Sequence, residues 1–348
     1  MMHEKNGKTL IRSLAAGFCL LLASGTAQAQ SVEEFYKGKT ISMLVGSSAG
    51  GGYDTYARLV SRHLGRFIPG NPGFVIQNIP GGGGMQVTNN LYNVAPKDGT
   101  AMGTIQRGLL TTPLLESRNI QVRYDPRRFN WLGSLNTETG LVVAWHTTPH
   151  RTFEDLQKHE LIVGSSSPST EFLPLFLNNV LKTKLKMVAG YKGSTEAYLA
   201  LERGEVSGRV STGWSGDKEV LQPWIDAGKV RLLVALSVKK GKVFPELPLI
   251  MDFARNEEDR QVMELILASQ VWGRPFVMPP GVPQDRLAAV KSAFDKMVRD
   301  PEFLEEAGKL RMDLEIVSSE EMKELLDRVY ATPPEIVERA RQAIATGG

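Results

Sequence analysis

The chain has 348 residues, one cysteine and a formal charge of +3, with 42% hydrophobic and 23% charged residues. These values are ordinary for a folded globular protein and exclude a disulfide-rich scaffold or a chain that is disordered throughout. No basic stripe with interleaved aromatic residues is present, so a nucleic-acid partner is not expected.

Residues 1–29 have the pattern of a secretory signal peptide. A region with three basic residues precedes the apolar run 14–23, and Ala27-Gln28-Ala29 is a small-residue cleavage site. The alternative, a retained membrane anchor, is disfavoured because the apolar run is short for a bilayer span. Cys19 lies in this segment, which also holds one acid, so cleavage would leave no cysteine and a net charge of +1. We therefore predict a periplasmic monomer without disulfides.

Short apolar runs alternate with helical patterns along the rest of the chain. Strands are predicted at 40–45, 74–77, 101–105, 131–145, 161–164 and 230–236. Helices are predicted at 85–94, 320–330 and 334–345, and from Pro283 to 298. Three further helices are predicted with side-chain caps: one that begins after Asp54, one at 170–181 capped by Ser169, and one at 195–203 capped by Ser194. This alternation predicts an α/β fold with mainly parallel sheets, in which ligands bind beyond the carboxyl ends of the strands.

Two glycine-rich loops follow the first two predicted strands, and each opens a helix. Glycine allows backbone N–H groups to approach a ligand closely, and a helix N-terminus carries partial positive charge. Together the loops predict a binding site for an anion, made mostly of main chain. The predicted contacts are Ser47, Ser48, Ala49, Gly50, Gly51, Gly52, Tyr53, Asp54, Gly81, Gly82, Gly83 and Gly84.

Further polar groups follow later strands and predict a second wall for the ligand. Arg107 follows the third strand and has the geometry to pair with a carboxylate, although an ordinary surface arginine is the alternative. Trp214 fits either the core or a pocket wall. The remaining candidates in this wall are Ser165, Ser166, Thr170, Tyr191, Lys192 and Gly193.

The segment 46–50 also matches G-x-S-x-G, the nucleophile turn of α/β-hydrolases, with Ser48 as the nucleophile. Three further glycines separate this turn from its helix, and the last histidine, His159, is too early for the order Ser…Asp…His. A secreted hydrolase is therefore kept as the alternative to a non-enzymatic binding protein. Dinucleotide and phosphate-loop motifs fail on spacing, and Pro149 separates His146 from His150, so neither a cofactor nor a metal is expected.

Seven segments resemble, in order and spacing, the substrate-binding proteins of tripartite tricarboxylate transporters, the TctC/Bug family. They are residues 36–41, 46–54, 78–84, 95–100, 164–166, 191–193 and 274–283. The resemblance implies a two-lobed, type II-like periplasmic binding protein with crossover strands near 130–145 and 268–278. The implied division is a signal peptide at 1–29, a first lobe at 30–135 plus 275–348, and a second lobe at 136–274.

The resemblance also implies the function. Family members bind small carboxylates through the two glycine loops, partly by way of water, close the second lobe over the ligand, and pass it to membrane permease subunits. This chain departs from the family pattern at Tyr53, at 167–169 and at 211–214, so the far end of the ligand is not implied. Tyr53, Trp214 and Trp272 suggest a flat or aromatic acid, and a di- or tricarboxylate stays open.

Overall fold

The computed structural model describes residues 30–116, 121–165, 168–191 and 193–345, with only the backbone described for 168–170. The predicted signal peptide therefore lies outside the described residues, as do Ser166 and Lys192. No helix in the described ranges combines the length and the apolar character needed to cross a membrane.

The described chain forms eleven strands and thirteen α-helices. The strands are β1 Thr40–Val45, β2 Gly73–Asn78, β3 Ala101–Thr104, β4 Asn130–Ser134, β5 Gly140–Trp145, β6 Leu161–Gly164, β7 Leu185–Val188, β8 Gly208–Ser211, β9 Val230–Leu236, β10 Pro275–Met278 and β11 Val317–Ser318. The helices are α1 Val32–Tyr36, α2 Gly52–His63, α3 Met85–Asn93, α4 Thr112–Leu115, α5 Asp155–Lys158, α6 Pro168–Leu181, α7 Ser194–Glu202, α8 Trp214–Asp226, α9 Glu257–Leu267, α10 Gln284–Met297, α11 Pro301–Lys309, α12 Ser319–Tyr330 and α13 Pro334–Ile344.

The strands form two sheets, each the centre of one lobe. The first has the order β11-β4-β10-β3-β1-β2, and the second has the order β7-β6-β8-β5-β9. In the first sheet β1 is parallel to β2 and β3, and in the second β6 is parallel to β7 and β8. The remaining strand pairs are antiparallel. The predicted two-lobed α/β fold is confirmed, with sheets that are mixed rather than mainly parallel.

Each sheet is covered by helices on both faces, as the alternation along its strands requires. In β1, Met43 belongs to a core with α2, α10 and α11, whereas Leu44 belongs to one with α3 and α12. In β5, Val142 packs with α6, α9 and α13, and Val143 packs with α7 and α8. Helix α12 lies against β4 of the first lobe. The next helix, α13, contacts α6 and α9 of the second lobe. The predicted domain boundaries stay a prediction.

Two crossover segments, 135–139 and 268–274, run from one sheet-centred lobe to the other, in addition to the passage from α12 to α13. They run side by side, because the Leu135 amide donates to the Arg274 carbonyl (3.1 Å) and the Gly273 amide donates to the Asn136 carbonyl (3.0 Å). The extended stretch predicted at 131–145 is thus divided between two sheets, with a polar crossover in its middle.

Three predicted helix caps are wrong. Asp54 lies inside α2, whose N-cap is Gly51; Ser169 lies inside α6, which begins at Pro168; and Ser194 is the first residue of α7. Glycine and proline also begin helices, because glycine imposes little steric restriction and a first-turn proline lacks only an N–H that would be unpaired anyway. A side-chain cap was therefore not required at these three starts.

Candidate functional site

The loops that follow β1, β2 and β3 meet at one edge of the first sheet. The three strands are parallel neighbours, so their carboxyl ends lie side by side. Ser48, Gly50 and Gly52 of the first loop are exposed, and so are Gly82 and Gly83 of the second. The structure thus brings the predicted glycine loops together.

Asp54 connects the two glycine loops through hydrogen bonds to its buried side chain. Its buried carboxylate accepts hydrogen bonds from the Gly50 amide (2.8 Å), Asn78 Nδ2 (2.8 Å) and Arg58 Nε (2.7 Å). Asn78 also donates to the Ser47 carbonyl. Burial alone would raise the pKa of Asp54, but these hydrogen bonds lower it below its usual value. Asp54 is therefore ionised at neutral pH and already holds three donors.

The second loop requires glycine. Gly81, Gly82, Gly83 and Gly84 all have positive φ angles, of 143°, 53°, 61° and 88°. A Cβ at Gly84 would lie 2.5 Å from Gln106 Cγ, whereas one at Gly83 would meet nothing within 4 Å. Conformation therefore selects glycine at 83, and both conformation and space select it at 84.

The polar turns of the second lobe meet at the carboxyl edge of its parallel strands. Ser165 follows β6, Tyr191 and Gly193 follow β7, and Thr212 to Trp214 follow β8. A buried arginine, Arg209, supports them from below: its Nη2 donates to Ser194 Oγ (2.9 Å), and its guanidinium lies 4.5 Å from the Tyr198 ring. The side chain of Thr170 is outside the described part.

The two edges meet at a cluster of three charged side chains and one hydroxyl, which we call the junction cluster: Arg107, Glu138, Arg274 and Ser215. Glu138 lies on the first crossover segment and is 2% exposed. Its Oε1 is 3.1 Å from Arg274 Nη1 and 3.4 Å from Arg107 Nη1. Ser215, at the start of α8, donates to this carboxylate through its hydroxyl and its amide (3.2 Å). One carboxylate is therefore shared by two guanidinium groups and a helix N-terminus.

The junction cluster is strongly coupled electrostatically. Burial would raise the pKa of Glu138, but the charges of Arg107 and Arg274 and the hydrogen bonds from Ser215 lower it. Arg274 also lies over the Tyr53 ring, with its guanidinium carbon 4.5 Å from the centroid. Glu138 is therefore a charged, fully engaged carboxylate between the lobes.

A cavity of about 300 Å³ lies beside the junction cluster. Its walls come from both lobes: residues 136–139, Trp214 and Ser215, Lys242 and Val243, and 312–315. This volume is at the lower end of the range for small-molecule sites, about 300–1,000 Å³. Trp214 is thus both buried and a pocket wall, and it packs edge-on against Phe244 at 4.8 Å. Trp272, in contrast, is fully buried.

The sequence interpretation missed Glu138, Arg274 and Ser215. One signal was available: Asn136-Thr137-Glu138-Thr139 is a polar interruption of an otherwise apolar stretch. Arg107 was predicted, but its guanidinium is bound to Glu138 and to the Thr212 carbonyl oxygen (2.6 Å). Its contacts therefore differ from those of an ordinary surface arginine.

The histidines among the described residues do not approach Ser48. His63 ends α2, with its Nε2 2.5 Å from Glu306 Oε2, and His146, His150 and His159 belong to the second lobe. His63 also lies near Asp300 and Glu302, a grouping with metal-ligating atoms, but Arg66 already binds both of those carboxylates. Neither a hydrolase triad nor an open metal site is assembled from these residues.

Comparison with known proteins places the chain in a family. Residues 58–341 match the family model described as the tripartite tricarboxylate transporter family receptor, TctC. A protein of Cupriavidus necator, described as a UPF0065 protein in the gbd 5′ region, is 24% identical over 341 residues, covering 93% of this chain and 94% of that protein.

Three solved structures of similar fold are compared with this chain. A TctC solute-binding protein from Polaromonas has a TM-score of 0.67 at 16% identity, covering 87% of this chain and 99% of that one. MatC from Rhodopseudomonas palustris, solved with malate, has a TM-score of 0.58 at 19% identity, covering 88% and 99%. An R. palustris protein solved with adipate has a TM-score of 0.60 at 18% identity, covering 87% and 97%.

The family match covers most of the chain, and the fold agrees with it. The chain therefore belongs to the TctC family of tripartite tricarboxylate transporter receptors, which are periplasmic solute-binding proteins and not enzymes.

Proposed function

We propose that this protein captures a small organic carboxylate between its two lobes and delivers it to the membrane subunits of a tripartite tricarboxylate-type transporter. The observation that carries the proposal is the pair of exposed glycine loops beside the buried Arg274 and the half-buried Arg107. Gly52, in the first loop, lies so close to Arg274 that a Cβ there would be 3.2 Å from Nη2. Backbone amides, a helix N-terminus and a cation together favour a carboxylate.

Closure of the lobes would complete the site. Arg107 of the first lobe already reaches the Thr212 carbonyl of the second, so the lobes share polar contacts at their junction. A ligand that touches both lobes stabilises the closed state in proportion to its extra contacts there. Proteins of similar fold were solved with malate and adipate, which supports a small acid as the ligand.

The export of the protein, its monomeric state and its transporter partner are parts of the same proposal. Removal of residues 1–29 would release a periplasmic protein, and the family match supports a receptor that serves membrane subunits. Uptake of the identified acid into vesicles that hold the permease subunits, with and without the purified protein, tests the delivery step. Equal uptake in both cases would refute it.

A thermal-shift screen of the mature protein tests the ligand class. Mono-, di- and tricarboxylic acids and aromatic acids are compared with neutral amides of the same carbon skeletons. An acid at one hundred times its dissociation constant stabilises the folded state by about 2.7 kcal/mol, which gives a clear shift. Shifts with the acids and none with the amides are expected, and equal shifts with both would refute carboxylate recognition.

A further inference from the structure

The carboxylate of Glu138 occupies a position suited to a ligand anion. It accepts a hydrogen bond from the backbone amide of Ser215, at the N-terminus of the 13-residue helix α8. Gly213, just before this helix, provides the space for this carboxylate. A Cβ at position 213 would lie only 2.6 Å from Glu138 Oε2. A helix N-terminus and two guanidinium groups form an anion site, and the protein fills it with its own side chain.

The charged groups of the junction cluster nearly cancel, so its net charge is small. Arg107 and Arg274 contribute two positive charges and Glu138 one negative charge, so the junction cluster carries one net positive charge. Two nearby pairs of opposite charge lie within ion-pair distance: Asp54 with Arg58 (2.7 Å) and Lys218 with Asp313 (3.0 Å). The junction cluster therefore adds one net positive charge at the lobe junction, beside Lys242 and Glu315 of the cavity wall.

This charge lies next to the proposed carboxylate site. Arg274 Nη2 approaches the exposed Gly52, and the Arg107 amide donates to Tyr53 Oη (3.0 Å). The side chains of Arg107 and Arg274 are only 17% and 10% exposed, so salt and water screen them weakly. A change of one unit charge here must alter the binding of ligands that differ by one charge.

We propose that Glu138 is a specificity-determining residue, which neutralises one of two guanidinium charges at the lobe junction and so limits the preference of the site for doubly charged over singly charged acids. The inference rests on the proposed carboxylate-binding function. A purely structural ion pair would change the affinities for doubly and singly charged acids alike. The role assigned to Glu138 instead changes the ratio of these two affinities.

The test compares adipate with hexanoate, which have the same chain length and differ by one carboxylate. Isothermal titration gives the ratio of the two affinities for the wild type, Glu138→Gln, Arg107→Gln and the double variant. The ratio of adipate to hexanoate affinity should rise at least about tenfold in Glu138→Gln and fall in Arg107→Gln. In the double variant, which restores the net charge, it should return to within about threefold of the wild type.

Glu257→Gln is the matched control, since it removes a negative charge from the exposed start of α9 and should leave the ratio unchanged. An unchanged ratio in Glu138→Gln, with both acids bound by the wild type, overturns this inference and leaves the proposed function standing. Failure of the wild type to bind either acid counts against both. If Glu138→Gln does not fold, Arg107→Gln decides, and a ratio that fails to fall overturns the inference.

Discussion

Arg107 Nη2 donates to the carbonyl oxygen of Thr212 at 2.6 Å, although the two residues are 105 positions apart and follow strands of different sheets. Arg107 begins a short 3₁₀ helix after β3, and Thr212 lies between β8 and α8. The contact joins the lobes at the edges where the candidate binding loops lie. The arginine therefore connects the two lobes beside the candidate binding loops.

Replacing Arg107 should weaken ligand binding. Arg107→Gln removes a charged hydrogen bond to Thr212 and one of the two cations beside Glu138, and a charged hydrogen bond contributes about 1.5–3 kcal/mol. Titration with the best acid from the screen should show an affinity lowered roughly ten- to a hundredfold. Arg260→Gln, on the exposed side of α9, is the control and should bind like the wild type. Wild-type affinity in Arg107→Gln would remove Arg107 from the site and leave Arg274 as the candidate cation beside Gly52.

The left-handed backbone of the second glycine loop should be essential for binding. Valine at Gly83 meets no neighbour, but its φ of 61° costs a non-glycine residue about 1–2 kcal/mol and should shift the loop. Gly228→Val is the matched control: its φ is 65°, it also has open space, and it precedes the end of β9 that pairs with Trp145, away from the junction. Both variants should lose similar stability in thermal unfolding, and only Gly83→Val should lose affinity, roughly tenfold or more. Equal affinities would show that this loop is only a turn.

The glycine loops should also depend on Asp54. In Asp54→Asn the carboxylate that holds Gly50, Arg58 and Asn78 becomes a neutral amide, leaving at least one buried donor poorly paired. Such a loss costs about 1–3 kcal/mol, and the looser loop should bind more weakly. Urea unfolding and titration measure the two effects. Asp226→Asn, whose exposed carboxylate accepts only from Gln222 among the described hydrogen bonds, should change neither.

Stability should fall in acid in a way that depends on Glu138. Because the pKa of Glu138 is lowered in the folded protein, the unfolded chain takes up a proton first as the pH decreases. The stabilisation is complete above the ordinary pKa of 4.5 and is lost as the pH falls through the lower pKa of the folded protein. Glu138→Gln should lower stability at neutral pH by about 3–5 kcal/mol, because the buried Arg274 and the half-buried Arg107 lose the carboxylate that they share.

Thermal unfolding of the wild type and Glu138→Gln over a pH series measures this contribution. The difference in melting temperature should be largest near neutral pH and should narrow below the ordinary pKa of glutamate. A difference that is constant across the series would show that Glu138 contributes packing and not charge.

The purified protein should turn over no ester. Ser48 is exposed at the loop after β1, while His63 lies at the opposite end of α2 and is paired with Glu306. Hydrolysis of a nitrophenyl ester should therefore equal the background rate, and Ser48→Ala should not change it. Activity above background that disappears in Ser48→Ala would restore the hydrolase alternative.

The local pattern of the sequence determined the elements and the loops. The strands at 40–45, 161–164 and 230–236 have the predicted bounds, because each is an apolar run between polar or glycine residues. The glycine loop at 81–84 is also visible in the local pattern, since glycine allows backbone N–H groups to approach a ligand closely, and all four glycines have positive φ angles in the structure. The family resemblance, carried by the two glycine loops and five further segments, is confirmed as well.

Only the tertiary structure decided the charged junction. Arg107, Glu138 and Arg274 are far apart in the chain, and nothing in the local pattern of any one of them identifies the other two. Hydrophobic periodicity records which face of an element is buried, but the pairing of charges depends on how the two sheets are placed against each other. The two crossover segments place Glu138 between the two arginines. Because the carboxylate is buried, its attraction to both guanidinium groups is stronger than it would be in water.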